Sequence, residues 1–184
     1  MQKKLKMKKS NTIIDKPLVN RVANSGIITI NLEDHYPTLE IVEFDLKDYL
    51  FRELMLKEKD FRTALKELDW SVYADKIVLV YCSTDAILPV WSFMLVSAYL
   101  KPVTQHIYQG TRTEYLKFHY EKVIDSYDVS ELADKRVVIK GCSDKEVPPS
   151  AYASITAKLQ PLTKSIMYGE PCSTVPIYKK PRKA

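Results

Sequence analysis

Glycine is scarce in this chain of 184 residues, with four in all. None of them sits in a Gly-rich loop, which excludes the P-loop and dinucleotide-binding fingerprints. Cysteine is scarce as well: there are three, and no two form a CxxC pair. That excludes zinc ribbons and thioredoxin-like redox motifs, and three thiols do not make a disulfide framework. No apolar run approaches the roughly 20 residues of a membrane-spanning helix, so no membrane partner is expected. The N-terminus carries lysines but neither an apolar h-region nor a small-residue cleavage site, which argues against secretion and makes the cytoplasm the expected location.

What is present is ordinary for a globular protein: 46% hydrophobic and 28% charged residues, with length enough for one domain and its core. The net charge of +5 sits at the ends. Residues 1–16 hold six lysines against Asp15 and read as a disordered basic tail. Lys179, Lys180, Arg182 and Lys183 form a second basic end, and residues 17–178 between them carry −4. A mildly acidic body with basic tails is not a nucleic-acid-binding face, so nucleic acid is not an expected partner.

The strongest signal is internal. Residues 71–110 align without a gap on residues 130–169, and 13 of the 40 positions are identical. Ala74-Asp75-Lys76 recurs as Ala133-Asp134-Lys135; Asp85, Pro89, Pro102, Thr104 and Gly110 recur as Asp144, Pro148, Pro161, Thr163 and Gly169. Unrelated segments of this composition would agree at roughly two or three positions, so duplication is the better account.

Each copy reads as strand, helix, strand. Lys76–Tyr81 and Arg136–Lys140 are apolar runs suited to strands buried on both faces. Helices follow over about 90–100 and 150–159, ended by Pro102 and Pro161, and second strands cover 104–108 and 164–168. Before the repeats, Pro17–Ser25 reads as a short helix, Ile27–Ile30 and Glu40–Asp45 as strands, 50–56 weakly as strand, and Lys57–Leu68 as a helix. A polar-faced helix over 111–127 joins the copies. The expected fold is α/β over residues 17–184: a mostly parallel sheet with helices on both faces, built on two tandem βαβ repeats, with N-terminal antiparallel edge strands.

In open α/β sheets ligands bind beyond the carboxyl ends of the strands, where strand order reverses. The repeats put Cys82-Ser83-Thr84-Asp85 and Gly141-Cys142-Ser143-Asp144 there, and Glu170-Pro171-Cys172-Ser173 follows the last repeat strand. Asp85 and Asp144 precede helices and can accept N–H bonds at their starts. The thiols are out of step by one residue: Cys82 aligns with Gly141, and Cys142 with Ser83. Three thiolates leaving the sheet on one side could hold zinc, iron or an iron–sulfur cluster. Cys82, Cys142, Cys172 and His35 are the candidate ligands, with Asp85, Asp144, Ser83, Ser143, Glu170 and Ser173 lining the site. No ligand pair has a recognised spacing, and cysteine is also a common small buried residue. Of the histidines, His119 falls on an apolar helix side and His106 within a strand. His35 stands in the Glu33–Pro37 loop and is the one suited to act as ligand or general base.

The strings FDLKDYLF, LKEKDFRTAL, CSTDAILPVW, VVIKGCSDKEVPPSAY and SIMYGEPCSTVPIYK together resemble an uncharacterised bacterial family, the domain of unknown function 2480, over about Val19–Lys179. The resemblance implies no reaction or ligand. What the resemblance does imply is an association with iron–sulfur assembly genes, which would favour metal or sulfur handling and make iron–sulfur assembly proteins the expected partners. Three functions follow as expectations. The first is an accessory binding a metal or sulfur species at the thiol- and carboxylate-lined site. The second is a non-catalytic interaction or scaffold protein with a pseudo-symmetric surface, including a homodimer. The third is a Cys-dependent enzyme, which needs a histidine within reach of a thiol.

Overall fold

The structure is a computed structural model that describes residues 26–141, 144–170 and 173–181. The helix expected at 17–25 and the basic tail lie outside these residues. β-branched runs open the fold: Ile27–Ile30 is strand β1 and Ile41–Asp45 is β2, as their Ile and Val content favours. Each strand runs into a single 3-10 turn, Leu32–His35 and Leu46–Tyr49. Asn31 Oδ1 accepts the Glu33 N–H in the first turn and Asp45 Oδ1 the Lys47 N–H in the second. Each side chain satisfies a donor that the turn leaves free, and each turn buries a leucine, Leu32 and Leu46.

Leu50–Phe51 (β3) and Met55–Leu56 (β4) pair antiparallel. Helix α1 spans Glu58–Glu67 and buries Phe61 and Leu65 one turn apart. The remaining elements are β5 (Ile77–Tyr81), helix α2 (Val90–Leu100), β6 (His106–Gln109), helix α3 (Arg112–Ser126), β7 (Arg136–Ile139), helix α4 (Pro149–Leu159), β8 (Ser165–Glu170) and β9 (Ser173–Lys179).

The architecture is α/β with mostly parallel strands, divided between two larger sheets ordered β2-β5-β6 and β1-β7-β8-β9. One detail departs from expectation. β1 and β2 are edge strands, but they run parallel to β7 and β5. Each pairs with a strand far along the chain, so the short link between them never becomes a hairpin turn. The antiparallel edge is C-terminal instead: β9 pairs with β8, with Pro176 opposite Met167 at an irregularity in the register. An edge strand can accommodate that missing donor.

Sequential strand order has a consequence for function. Right-handed crossovers in a β2-β5-β6 order put both connecting helices on one face. Accordingly Phe61 and Leu65 of α1 share a core with Val96 and Leu100 of α2, against Phe44, Val78 and Val80. In the other sheet Tyr120 and Ile124 of α3 share a core with Ala151, Ile155 and Leu159 of α4, against Ile30, Val137, Ile139 and Ile166. The other face of the first sheet is met by α3, whose Tyr115 and Phe118 rings lie 5.4 and 5.3 Å from that of Tyr108 on β6. Neither described sheet contains a reversal of strand order, so the crevice that such a reversal opens does not arise in them.

The two units match beyond the aligned segment. At the same 59-residue spacing Phe61 and Leu65 of α1 correspond to Tyr120 and Ile124 of α3. Asp69 and Asp128 each accept a backbone N–H two residues on, from Ser71 and Ser130. Several identities between the two aligned segments answer backbone demands. Asp75 and Asp134 stand at φ 55° and 54°, a left-handed conformation that Asp tolerates better than most residues, and donate to the carbonyls of Val103 and Leu162. Buried Thr104 and Thr163 donate their hydroxyls to Lys76 and Leu159 carbonyls.

Candidate functional site

The loops beyond β5 and β7 each donate hydrogen bonds from backbone N–H groups to an acidic side chain at the end of the neighbouring edge strand or in the turn that follows it. In the first unit Asp45 Oδ1 accepts the Ser83 N–H at 3.0 Å. Burial works against the Asp45 charge, but hydrogen bonds from Ser83 and Lys47 and the nearby Lys47 cation outweigh it and hold the carboxyl below its ordinary range. The bond to Ser83 therefore persists at neutral pH. Its contribution is lost as pH falls through the lowered folded-state pKa. Beside it the Tyr81 hydroxyl donates to Glu43 Oε2 at 2.8 Å. That bond, together with burial and the surrounding carboxylates, pushes the phenol up to about 12. At neutral pH Tyr81 is a fixed donor, not a base.

In the second unit Glu33 Oε1 accepts two successive N–H groups, Asp144 and Lys145, each at 3.1 Å. The Lys145 ammonium lies 5.5 Å from the centre of the Tyr36 ring. The Tyr36 hydroxyl in turn accepts from Arg112 Nη2 at 2.8 Å, and Arg112 Nε stands 3.8 Å from Glu146 Oε2. Glu33→Ala is expected to speed hydrogen exchange of the Asp144 and Lys145 amides by about tenfold, since the acceptor of both N–H groups is removed. Unchanged protection would mean that Glu33 does not hold the loop.

Seven of the ten expected site residues fall among the described residues. Cys82 is half-buried at the margin of the helix-side core, and its Sγ lies 3.3 Å from Thr84 Oγ1. Cys142, Ser143 and Cys172 lie outside the described residues. Ser83, Asp85 and Asp144 are exposed. The aspartates do not cap the helices that follow: α2 and α4 start after Pro89 and Pro148, with no side-chain cap bond. Glu170 and Ser173 face each other across the β8–β9 pair. His35 belongs to the first 3-10 turn, where its ring packs edge-on against Tyr127 at 5.4 Å and its carbonyl meets His119 Nε2 at 2.7 Å. Among the described residues no three His, Cys, Asp or Glu side chains gather as a metal site.

Sequence reasoning missed Glu33, Asp45, Tyr36 and Arg112. A signal for the first two exists: Asn31-Leu32-Glu33-Asp34 and Asp45-Leu46-Lys47-Asp48 share a leucine and an aspartate at the same spacing after a strand. Among the described residues of both loops this hydrogen bonding satisfies backbone donors.

The family described as a protein of unknown function (DUF2480) matches residues 16–180. The chain belongs to this family. Membership in DUF2480 spans both units and all nine strands among the described residues, and it supplies no reaction or ligand. Among curated proteins and among solved structures, none matches the chain. Among the described residues of this DUF2480 chain no helix is long and apolar enough to cross a membrane.

Proposed function

We propose that this protein is a non-catalytic interaction module whose docking surface is the outer side of α2 with the loop leading into it. One observation carries the reading. α2 (VWSFMLVSAYL) has no charged residue, and beside Ala98 its exposed side chains are large and apolar: Val90 is 75% exposed and Met94 67%, with Ile87 just before the helix at 93%. A helix apolar all round is one whose every side is meant to be covered. On α4 the positions corresponding to Val90, Trp91, Met94 and Leu95 are Pro149, Ser150, Ala153 and Ser154. The same fold element thus serves as a solvent face in one unit and as an apolar face in the other.

A photo-crosslinking side chain placed at position 94 and activated in the cells that make the protein tests this. Capture of one defined polypeptide, identified by mass spectrometry, is expected at position 94 and not at the control position 153. Equal or absent capture at both would overturn the reading.

The metal or sulfur reading, with a role in iron–sulfur maturation, rests on less. Its support is the placement of Cys82 at the carboxyl end of β5. Metal analysis of anaerobically purified protein addresses it directly: one bound iron or zinc per chain would favour it over the interaction module.

A further inference from the structure

We infer that the surface around α2 is completed by a second copy of this chain, through antiparallel pairing of β6 with β6 of the copy. The inference rests on the interaction reading and names its partner.

The argument begins with a difference between the units. β6 and β8 correspond at the 59-residue spacing, His106 with Ser165. The outer side of β8 is covered by antiparallel β9, whereas β6 ends its sheet, with no strand beyond it among the described residues. The Gly110 N–H bonds inward to the Val80 carbonyl. By the alternation of a strand, the backbone groups of Ile107 and Gln109 then point outward, away from β5.

The flank of α2 points to the same vacancy. Its Trp91 side is taken by α1: the ring lies 6.2 Å from Phe61, and the Arg62 guanidinium 5.8 Å from Trp91. Val90, Met94 and Ser97, at i, i+4 and i+7, lie on the side away from α1. Two of their counterparts on α4 show what that side faces. Ala153 and Thr156 line an open cavity of about 280 Å³ with Tyr168 of β8 and Ile177 of β9. The α2 flank is therefore directed toward a strand that would lie beside β6.

Charge selects the occupant. Residues 86–111 hold a single Asp, Glu, Lys or Arg, which is Lys101, in a chain that is 28% charged. The corresponding residues 145–170 hold five. Edge strands are normally defended by charges, proline or bulges, and His106–Gln109 has none of these. A neutral surface meets its own copy without like-charge repulsion, and antiparallel pairing of identical edge strands is compatible with a two-fold axis. Four residues of ladder make a small contact. The two α2 flanks, brought onto the same face of the joined sheets, add the apolar area that a ladder alone lacks.

Sedimentation equilibrium of the full chain tests this. A dimer is expected, with Kd raised at least about tenfold by Met94→Lys and by Gln109→Lys; both side chains are exposed, so circular dichroism should not change, nor should Tm at dilutions where the wild type is also monomeric. Amide exchange at Ile107 and Gln109 should be slow in the dimer and fast in either variant. A monomer at concentrations up to about 100 μM, or a dimer indifferent to both substitutions, would overturn the inference. The interaction reading fails separately, when crosslinking from position 94 captures nothing. Capture of a different polypeptide there keeps that reading and removes the dimer.

Discussion

Phe44→Ala is expected to lower the free energy of unfolding by about 3–5 kcal/mol, the range for emptying a large aromatic site in a core. Phe44 is 2% exposed and is the hub of the first unit's aromatic cluster. Its ring stacks on Tyr49 at 5.3 Å and 3° and on Trp70 at 5.6 Å and 11°, and meets Tyr73 at 5.9 Å. The neighbours cannot close the gap cheaply, because each is held by a second contact. Trp70 donates its indole N–H to the Leu65 carbonyl and stacks on Tyr99, and Tyr49 meets Phe61. Domains of this size carry about 5–15 kcal/mol in total, so the variant should show a markedly lower urea midpoint at an unchanged slope. Phe44→Leu should lose much less, because most of the volume is kept. A loss below about 1 kcal/mol for the alanine variant would mean that the cluster does not hold the unit together.

The same cluster shows what could be read in advance. Its strands and helices were legible because each is short, periodic and bounded by its own stop: Pro102 and Pro161, Gly110 and Gly169. The direction of β1 and β2 was not. Alternating apolar residues give the same pattern in parallel and antiparallel edge strands, and the partners of β1 lie more than a hundred residues away, as Ile27 opposite Arg136 shows. The β3–β4 hairpin was legible only as a weak strand. Its turn residues, Arg52 and Glu53, stand at φ 54° and 60°, positions where a sequence signal would be Asn-Gly. The side chains of the identical pair Asp85 and Asp144 cap neither helix, since α2 and α4 begin after Pro89 and Pro148 with no side-chain cap bond. His35 stands in a turn that aligns with the one holding Tyr49, and both rings take part in aromatic packing. Residue type and loop position indicate chemistry only when tertiary contacts leave the side chain free. The difference between α2 and α4 was visible in the sequence all along, but became informative once the two helices were known to occupy equivalent places.

Gly169→Ala is the second large effect, and it bears on why one sheet edge is covered and the other open. Gly169 stands at φ +119°, and a Cβ there would lie 2.6 Å from the Ser173 carbonyl oxygen. That oxygen is backbone, on the strand that pairs with β8, so relief requires β9 to move. Strained φ costs about 1–3 kcal/mol and displacement of the pairing strand adds to it, so a loss of about 2–4 kcal/mol is expected. Gly26→Ala is the internal control: its φ is +63°, but nothing lies within 4 Å of the added carbon, so about 1 kcal/mol of backbone strain is all it should cost. Thermal unfolding separates the two, and amide exchange over Ser173–Lys179 should quicken in the Gly169 variant alone. Loosening β9 would also leave β8 with an outer edge as open as that of β6. The Gly169 variant should therefore form species larger than the wild type in sedimentation, and the added association should be suppressed by a lysine on the outer side of β8. Equal costs at the two glycines, with β9 still protected, would show that the β8–β9 pairing tolerates the shift.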